Sequence, residues 1–132
     1  MERELKFRVF DKNAPSSLSD IDSPKGSMIP HEYVIQSDYF KESISGRYPI
    51  MQYIGIKDYI GKEIYEGDIY AHDFADINNW LVCFENGCFG IKNIGIDGLL
   101  SQFFAVNTPY FFIDRHCIGN KFENQELLIP WH

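Results

Sequence analysis

The sequence predicts a mainly β protein. It reads as a single compact domain over residues 1–132, with short helical pieces. Its centre, about residues 50–93, is a small barrel or a strongly twisted antiparallel meander, SH3-like in outline. Three observations carry this reading. The chain holds 8 Tyr and 11 Phe, residues that favour strands. Several short segments alternate apolar and polar residues with the period of two of a half-buried strand. Tight-turn signals at Asp58-Tyr59-Ile60-Gly61, Glu66-Gly67-Asp68 and Asn86-Gly87 divide the centre at the spacing of a meander.

Residues 4–10 place Leu5, Phe7 and Val9 on one face and Lys6 and Arg8 on the other, which predicts a first strand. A long turn or mobile loop follows over about residues 11–30, rich in Ser, Asp, Pro and Gly. Residues 32–36 read as a short strand. Residues 38–46 are open between strand and a helical turn capped by Ser37 or Asp38 and stopped by Gly46. Residues 50–56 form a strand, Asp58–Gly61 a turn, and Lys62–Tyr65 the returning strand. Glu66-Gly67-Asp68 makes a second turn, and Ile69–Phe74 leaves it as another strand. Asn86-Gly87 is the strongest short hairpin signal, favouring a type I′ turn. It pairs Phe84 with Phe89 and Val82 with Ile91, gathering Trp80, Val82, Phe84, Phe89 and Ile91 on one face. Gly98–Phe104 reads as one or two helical turns, 110–118 as a late strand, and Asn124 as the cap of a short helix through Leu128.

Composition narrows the function classes. A net charge of −7 and a sequence pI near 4.9 oppose phosphate, so nucleic acid is not an expected partner. No apolar run approaches the length of a membrane span. Cys83, Cys88 and Cys117 are an odd set of thiols with no secretory context, which predicts reduced thiols and a cytoplasmic setting.

The candidate chemical constellations are thin. Cys83, Cys88, His116 and Cys117 are suitable zinc ligands, but their spacing is not Cys-x₂-Cys. As neighbours on a strand, His116 and Cys117 would also face opposite ways. Asp58, Glu63, Glu66 and Asp68 could do acid–base work, yet Glu66 and Asp68 flank a turn glycine, where carboxylates are solvated or bonded to backbone. No glycine-rich phosphate loop appears. Tyr53, Tyr59, Tyr65, Tyr70, Phe103, Phe104, Tyr110, Phe111, Phe112 and Trp131 are more aromatics than one small barrel needs inside, and exposed aromatics favour protein interfaces.

Three segments also carry a family pattern. The opening run Lys6–Lys12 is one, with Phe10 where Trp is usual. The second lies in Met51–Ile69, at Gln52, Tyr53, Gly55, Asp58, Gly61, Glu63, Tyr65, Gly67 and Asp68. The third is the tail around Gly119 and Asn120, with Phe122-Glu123-Asn124 and Glu126-Leu127-Leu128. In order and spacing these resemble the YopX family. Ile60 stands where that family often has Asn, which suggests a side chain docked on a neighbour. Gln125 stands for the usual Pro, and residues 13–48 show no match. The resemblance implies a mainly β protein of phage or prophage origin with no assigned activity, cofactor or site. The matching residues are therefore expected to make turns and core. No catalytic residue, metal or cofactor is expected. The function read from these features is a non-catalytic accessory protein acting through protein–protein interaction, as a homo-oligomer. The alternative is a small-barrel nucleic-acid-binding module using Lys6, Arg8, Arg47, Lys57, Lys62 and Lys92.

Overall fold

The computed structural model describes residues 4–15, 25–72, 79–94 and 100–128. The fold is mainly β, as the sequence predicts, and is built from two antiparallel sheets, one of them a half-barrel. Backbone contacts divide the chain into two units, Met1–Tyr53 and Ile54–His132.

In the first unit, β1 (Phe7–Asp11) lies between β2 (Ser27–Ile29) and β3 (Ile50–Lys57), antiparallel to both, with Phe10 opposite Met28 and Arg8 opposite Met51. Val9, Met51 and Val34 are its fully buried apolar side chains. Ser27–Ile29 falls inside the segment the sequence assigns to a loop. It becomes a strand because β1 offers a free edge to pair with, a long-range partner that local composition does not reveal. Residues 16–24 of that loop lie outside the described residues.

Helix α1 (His31–Gln36) corrects the strand expected at 32–36. The Pro30 carbonyl accepts the N–H groups of Tyr33 and Val34 and starts the helix, while His31 Nδ1 accepts the Phe7 N–H at 3.0 Å. Of the consecutive apolar residues, Val34 alone is buried; Tyr33 and Ile35 face solvent, the one-sided burial of a helix. Helix α2 (Tyr39–Ile44) settles the open reading of 38–46. Ser37 Oγ accepts the Tyr39 N–H, and Gly46 stops the helix at φ +91°. The Tyr39 hydroxyl donates to Asp11 Oδ2 at 2.8 Å and Phe40 packs on Phe7, tying α2 to β1.

The second unit begins within β3, where Gly55 has φ +95°, a conformation open to glycine inside a strand that must kink. The chain turns at 58–61, closed by the Gly61 N–H on the Asp58 carbonyl, and returns as β4 (Glu63–Tyr65). Ile60 in this turn is 69% exposed, so the expected docking of its side chain does not occur. A five-stranded sheet follows in the order β8-β7-β6-β5-β9, from β5 (Asp68–His72), β6 (Asn79–Glu85), β7 (Cys88–Ile94), β8 (Leu100–Ala105) and β9 (Arg115–Asn120). β5, β6 and β7 pair in chain order, as in the predicted meander, and β8 extends that order beyond it. Residues 73 and 74, read as the end of β5, lie outside the described residues. The β6–β7 hairpin has the predicted register, Phe84 opposite Phe89 and Val82 opposite Ile91. Its turn holds Asn86 and Gly87 both at positive φ, as a type I′ turn requires.

Two segments depart from expectation. The helical turns read at 98–104 are strand β8, since Phe103, Phe104 and Ala105 pair with Lys92, Ile91 and Gly90. The late strand read from residue 110 begins only at Arg115. Pro109–Phe112 is a 3-10 turn that sinks Phe112 fully into the core. In both places a run of consecutive aromatics matches neither period, and the neighbouring sheet decides. The core between these elements joins Ile64, Tyr70, Val82, Ile91 and Phe112; Ile69, Leu81 and Ile94 pack on the other face.

Gly90 leaves room for the Phe103 ring and the Phe104 carbonyl on the neighbouring strand; a Cβ there would collide with both. Gly90→Ala is therefore expected to displace β8 and cost about 1–3 kcal/mol, read as a lower urea midpoint with an unchanged slope.

Candidate functional site

The signature carboxylates are placed by turns. Asp58 is buried at the mouth of the 58–61 turn, where its Oδ1 accepts the N–H groups of Ile60 and Lys62 at 3.1 and 2.9 Å. Its Oδ2 accepts the hydroxyl of the fully buried Tyr70 at 2.9 Å. Asp68 is 1% exposed; its Oδ2 accepts the Tyr65 N–H at 2.9 Å and the Lys62 ammonium at 3.1 Å. Lys62 thus touches Asp68 through its side chain and Asp58 through its backbone. Each oxygen named here already accepts a backbone N–H or a hydroxyl of its own fold, and neither carboxylate opens onto the groove described below. Their arrangement secures two turns.

The tail pattern is the other half of this arrangement. The Gly67 N–H donates to the Val82 carbonyl, and the Gly67 carbonyl accepts the Lys121 N–H, so the turn between β4 and β5 bridges β6 to the C-terminal segment. Asp68 lies opposite Asn120 in the β5–β9 ladder. The Asn120 side chain accepts the N–H groups of Phe122 and Glu123, while Asn124 Oδ1 accepts the Asn120 N–H. Asn124 thus bonds back to β9 while the short 3-10 turn Gln125–Leu128 starts on its carbonyl, and Gly119 leaves the space its side chain occupies. Asp58, Gly61, Glu63, Tyr65, Gly67, Asp68, Gly119 and Asn120 are all in the second unit; Gln52 and Tyr53 belong to β3 in the first, where the Tyr53 N–H donates to the Lys6 carbonyl. Gly55 sits just past that boundary.

Burial pushes the Tyr70 phenol far above its ordinary value, aided by nearby Cys117 and the bond to Asp58. Burial, with Glu85 beside it, pushes the Cys83 thiol up to about 11. In both groups the folded state holds the proton more tightly than the unfolded chain. The resulting stability is complete below the unfolded values and is lost progressively as pH rises from them toward the raised folded values. Stability is therefore expected to begin falling above about pH 9 through Cys83, and above about pH 10 by about a further 1.4 kcal/mol per pH unit through Tyr70. Thermal melts from pH 8 to 11.5 check this, and Tyr70→Phe should flatten the decline.

The cysteines do not assemble a metal centre: among the described residues no group of three His, Cys, Asp or Glu side chains is placed to hold an ion. Cys88 Sγ donates to the Glu85 carbonyl and Cys117 Sγ to the Gly119 carbonyl.

Among the described residues an aromatic groove of about 390 Å³ opens to solvent, lined by Trp80, Ile91, Phe104, Ala105, Val106, Asn107, Thr108 and Phe111. Trp80 and Ile91 reach it from the inner face of the β6–β7 hairpin and Phe104 from β8. Its far wall is braced: Phe111 meets Trp80 edge-on with ring centroids 5.2 Å apart, and the Arg115 guanidinium lies 4.0 Å over Phe111. Arg115 Nη1 donates to the Phe111 carbonyl at 2.7 Å and to Asp114, whose other oxygen bonds His72 Nε2 at 2.9 Å. Phe104 in the lining is half exposed, and Phe84, Tyr110 and Ile113 in the same unit are half or more exposed. The aromatic surplus in the sequence divides accordingly: Tyr53, Tyr65, Tyr70 and Phe112 are core, whereas Tyr59, Phe104 and Tyr110 are exposed. Trp131 lies outside the described residues. Sequence reasoning assigned Trp80 and Ile91 to one hairpin face without locating a groove beside them, and it missed Asn107 and Thr108. The available signal was a hairpin face with five large apolar residues, more than its neighbours can cover.

Fold and site together define a class: a mainly antiparallel β protein whose signature residues lock turns and whose open feature is an aromatic groove. The YopX protein family matches the chain over residues 6–129, and the chain belongs to that family. The fold is similar to that of protein EF1440 from Enterococcus faecalis, whose crystal structure aligns with a TM-score of 0.55 and 22% identity, over 96% of this chain and 99% of that one. No curated protein matches.

Proposed function

We propose that this protein is a non-catalytic accessory protein of a phage or prophage, acting in the host cytoplasm through protein–protein contact, including contact with its own copies. The observation that carries this is the aromatic groove on the five-stranded sheet, with Phe104 half exposed in its lining and Phe84, Tyr110 and Ile113 exposed elsewhere in the same unit. Exposed aromatic clusters of this kind supply the desolvated centre of protein interfaces. The polar cluster, by contrast, is occupied with its own turns. Nucleic-acid binding draws less support, because Lys6, Arg47, Lys62 and Lys92 pair with Glu4, Glu42, Asp68 and Glu85 of the same chain.

The test is affinity capture from induced host cells with wild-type and Phe104→Glu baits, alongside sedimentation of the purified protein. A host protein or a second copy retained by wild type and lost with Phe104→Glu is the expected result. A monodisperse monomer at high concentration that captures nothing would sink the proposal.

A further inference from the structure

Among the described residues, strand β8 ends the five-stranded sheet and pairs only with β7. The Val106 N–H donates to the Phe89 carbonyl, and Phe104 lies opposite Ile91 two residues on. Antiparallel ladders alternate between bonded and non-bonded pairs. Phe103 and Ala105 therefore direct their backbone N–H and C=O groups away from β7, along the outer edge of the sheet. Such an edge is a template for another strand, and soluble proteins commonly block it with charge, proline or shortness.

The sequence here does the reverse. Residues 98–113 contain no Asp, Glu, Lys, Arg or His, the longest such run in a chain with 12 Lys and Arg and 19 Asp and Glu. The opposite terminal strand, β9, carries Arg115 and His116, with Lys121 just beyond it. On the uncharged side Phe104 is 50% exposed, Ala105 is exposed, and Tyr110 and Ile113 are more exposed still.

Charge also selects the occupant. A partner chosen by electrostatic complementarity would need charges to read, and this edge presents none. Two copies of a chain with net charge −7 repel one another over most of their surface, but at this run they meet without opposing like charges. A strand laid antiparallel on its own copy also satisfies a two-fold axis directly, the commonest symmetry of homo-oligomers.

We infer that β8 pairs edge to edge, antiparallel, with β8 of a second copy, joining two five-stranded sheets into one continuous sheet across the dimer. This rests on the self-association reading above and names its surface. Sedimentation and amide hydrogen exchange test it between about 10 μM and about 1 mM. A dimer is expected, with exchange at Phe103 and Ala105 slowing as concentration rises. Ala105→Lys, which opposes like charges, and Ala105→Pro, which removes an outward N–H, are each expected to weaken association at least about tenfold with unchanged far-ultraviolet circular dichroism. Ile60→Ser, an exposed substitution in the 58–61 turn away from β8, leaves the dimer intact. A dimer that survives both Ala105 substitutions overturns the edge pairing while self-association stands. A monomer throughout the range overturns both. If the substituted chains fail to fold, exchange at Phe103 and Ala105 in the wild type still decides, and concentration-independent exchange there overturns the inference.

Discussion

Asp58→Ala is expected to lower folding stability by about 3–5 kcal/mol, because one substitution strands three donors. The backbone N–H groups of Ile60 and Lys62 lose their acceptor inside the turn, and the Tyr70 hydroxyl loses its partner in a fully buried position. Tyr70→Phe removes only one of those bonds and keeps the ring, so it is expected to cost about 1–2 kcal/mol. Chemical unfolding of both variants, with the double mutant to close the cycle, separates the hydroxyl contact from the two turn contacts. A loss below about 1 kcal/mol for Asp58→Ala would mean that solvent substitutes for the carboxylate and that this signature residue does not hold the turn.

Phe112→Ala is expected to cost about 3–5 kcal/mol, since the ring is fully buried and stands edge-on to both Tyr70 and Phe111, with centroids 4.7 and 5.0 Å away. Phe112→Leu, which keeps most of the volume, should cost less than half as much. The pair of variants carries a second reading. Phe111, on the same 3-10 turn, forms the far wall of the groove, so the cavity left by Phe112 should loosen that wall. Fluorescence of Trp80 in Phe112→Leu, with Trp131 replaced by Phe, reports whether the wall has moved while the protein remains folded.

Much of the architecture was legible in the chain. The Asn86-Gly87 hairpin and its register follow from local chemistry, because two residues at positive φ set the turn and one register alone sorts the apolar side chains. The turns at 58–61 and 66–68 are likewise written in Asp and Gly. The errors fall where local pattern is ambiguous and a distant partner decides. Tyr33-Val34-Ile35 suits a strand or a helix equally, and His31 bonding to β1 selects the helix. Ser27–Ile29 has no strand signal apart from the edge it joins. Phe103-Phe104 and Tyr110-Phe111-Phe112 are consecutive aromatics without a period, and the first became strand while the second became a 3-10 turn. The site follows the same division: the aromatic surplus was visible, but which rings remain exposed was not.

The sequence by itself determined the family, the turn chemistry and a meander at the centre, because these depend on residues close together in the chain. Only the tertiary structure decided that Asp58 caps its own turn and Tyr70 at once, that Gly67 ties β6 to the C-terminal tail, and that Trp80, Phe104 and Phe111 border one groove. Those outcomes depend on which distant backbone groups and rings meet after the strands have paired. A long-range contact leaves no period in the local sequence.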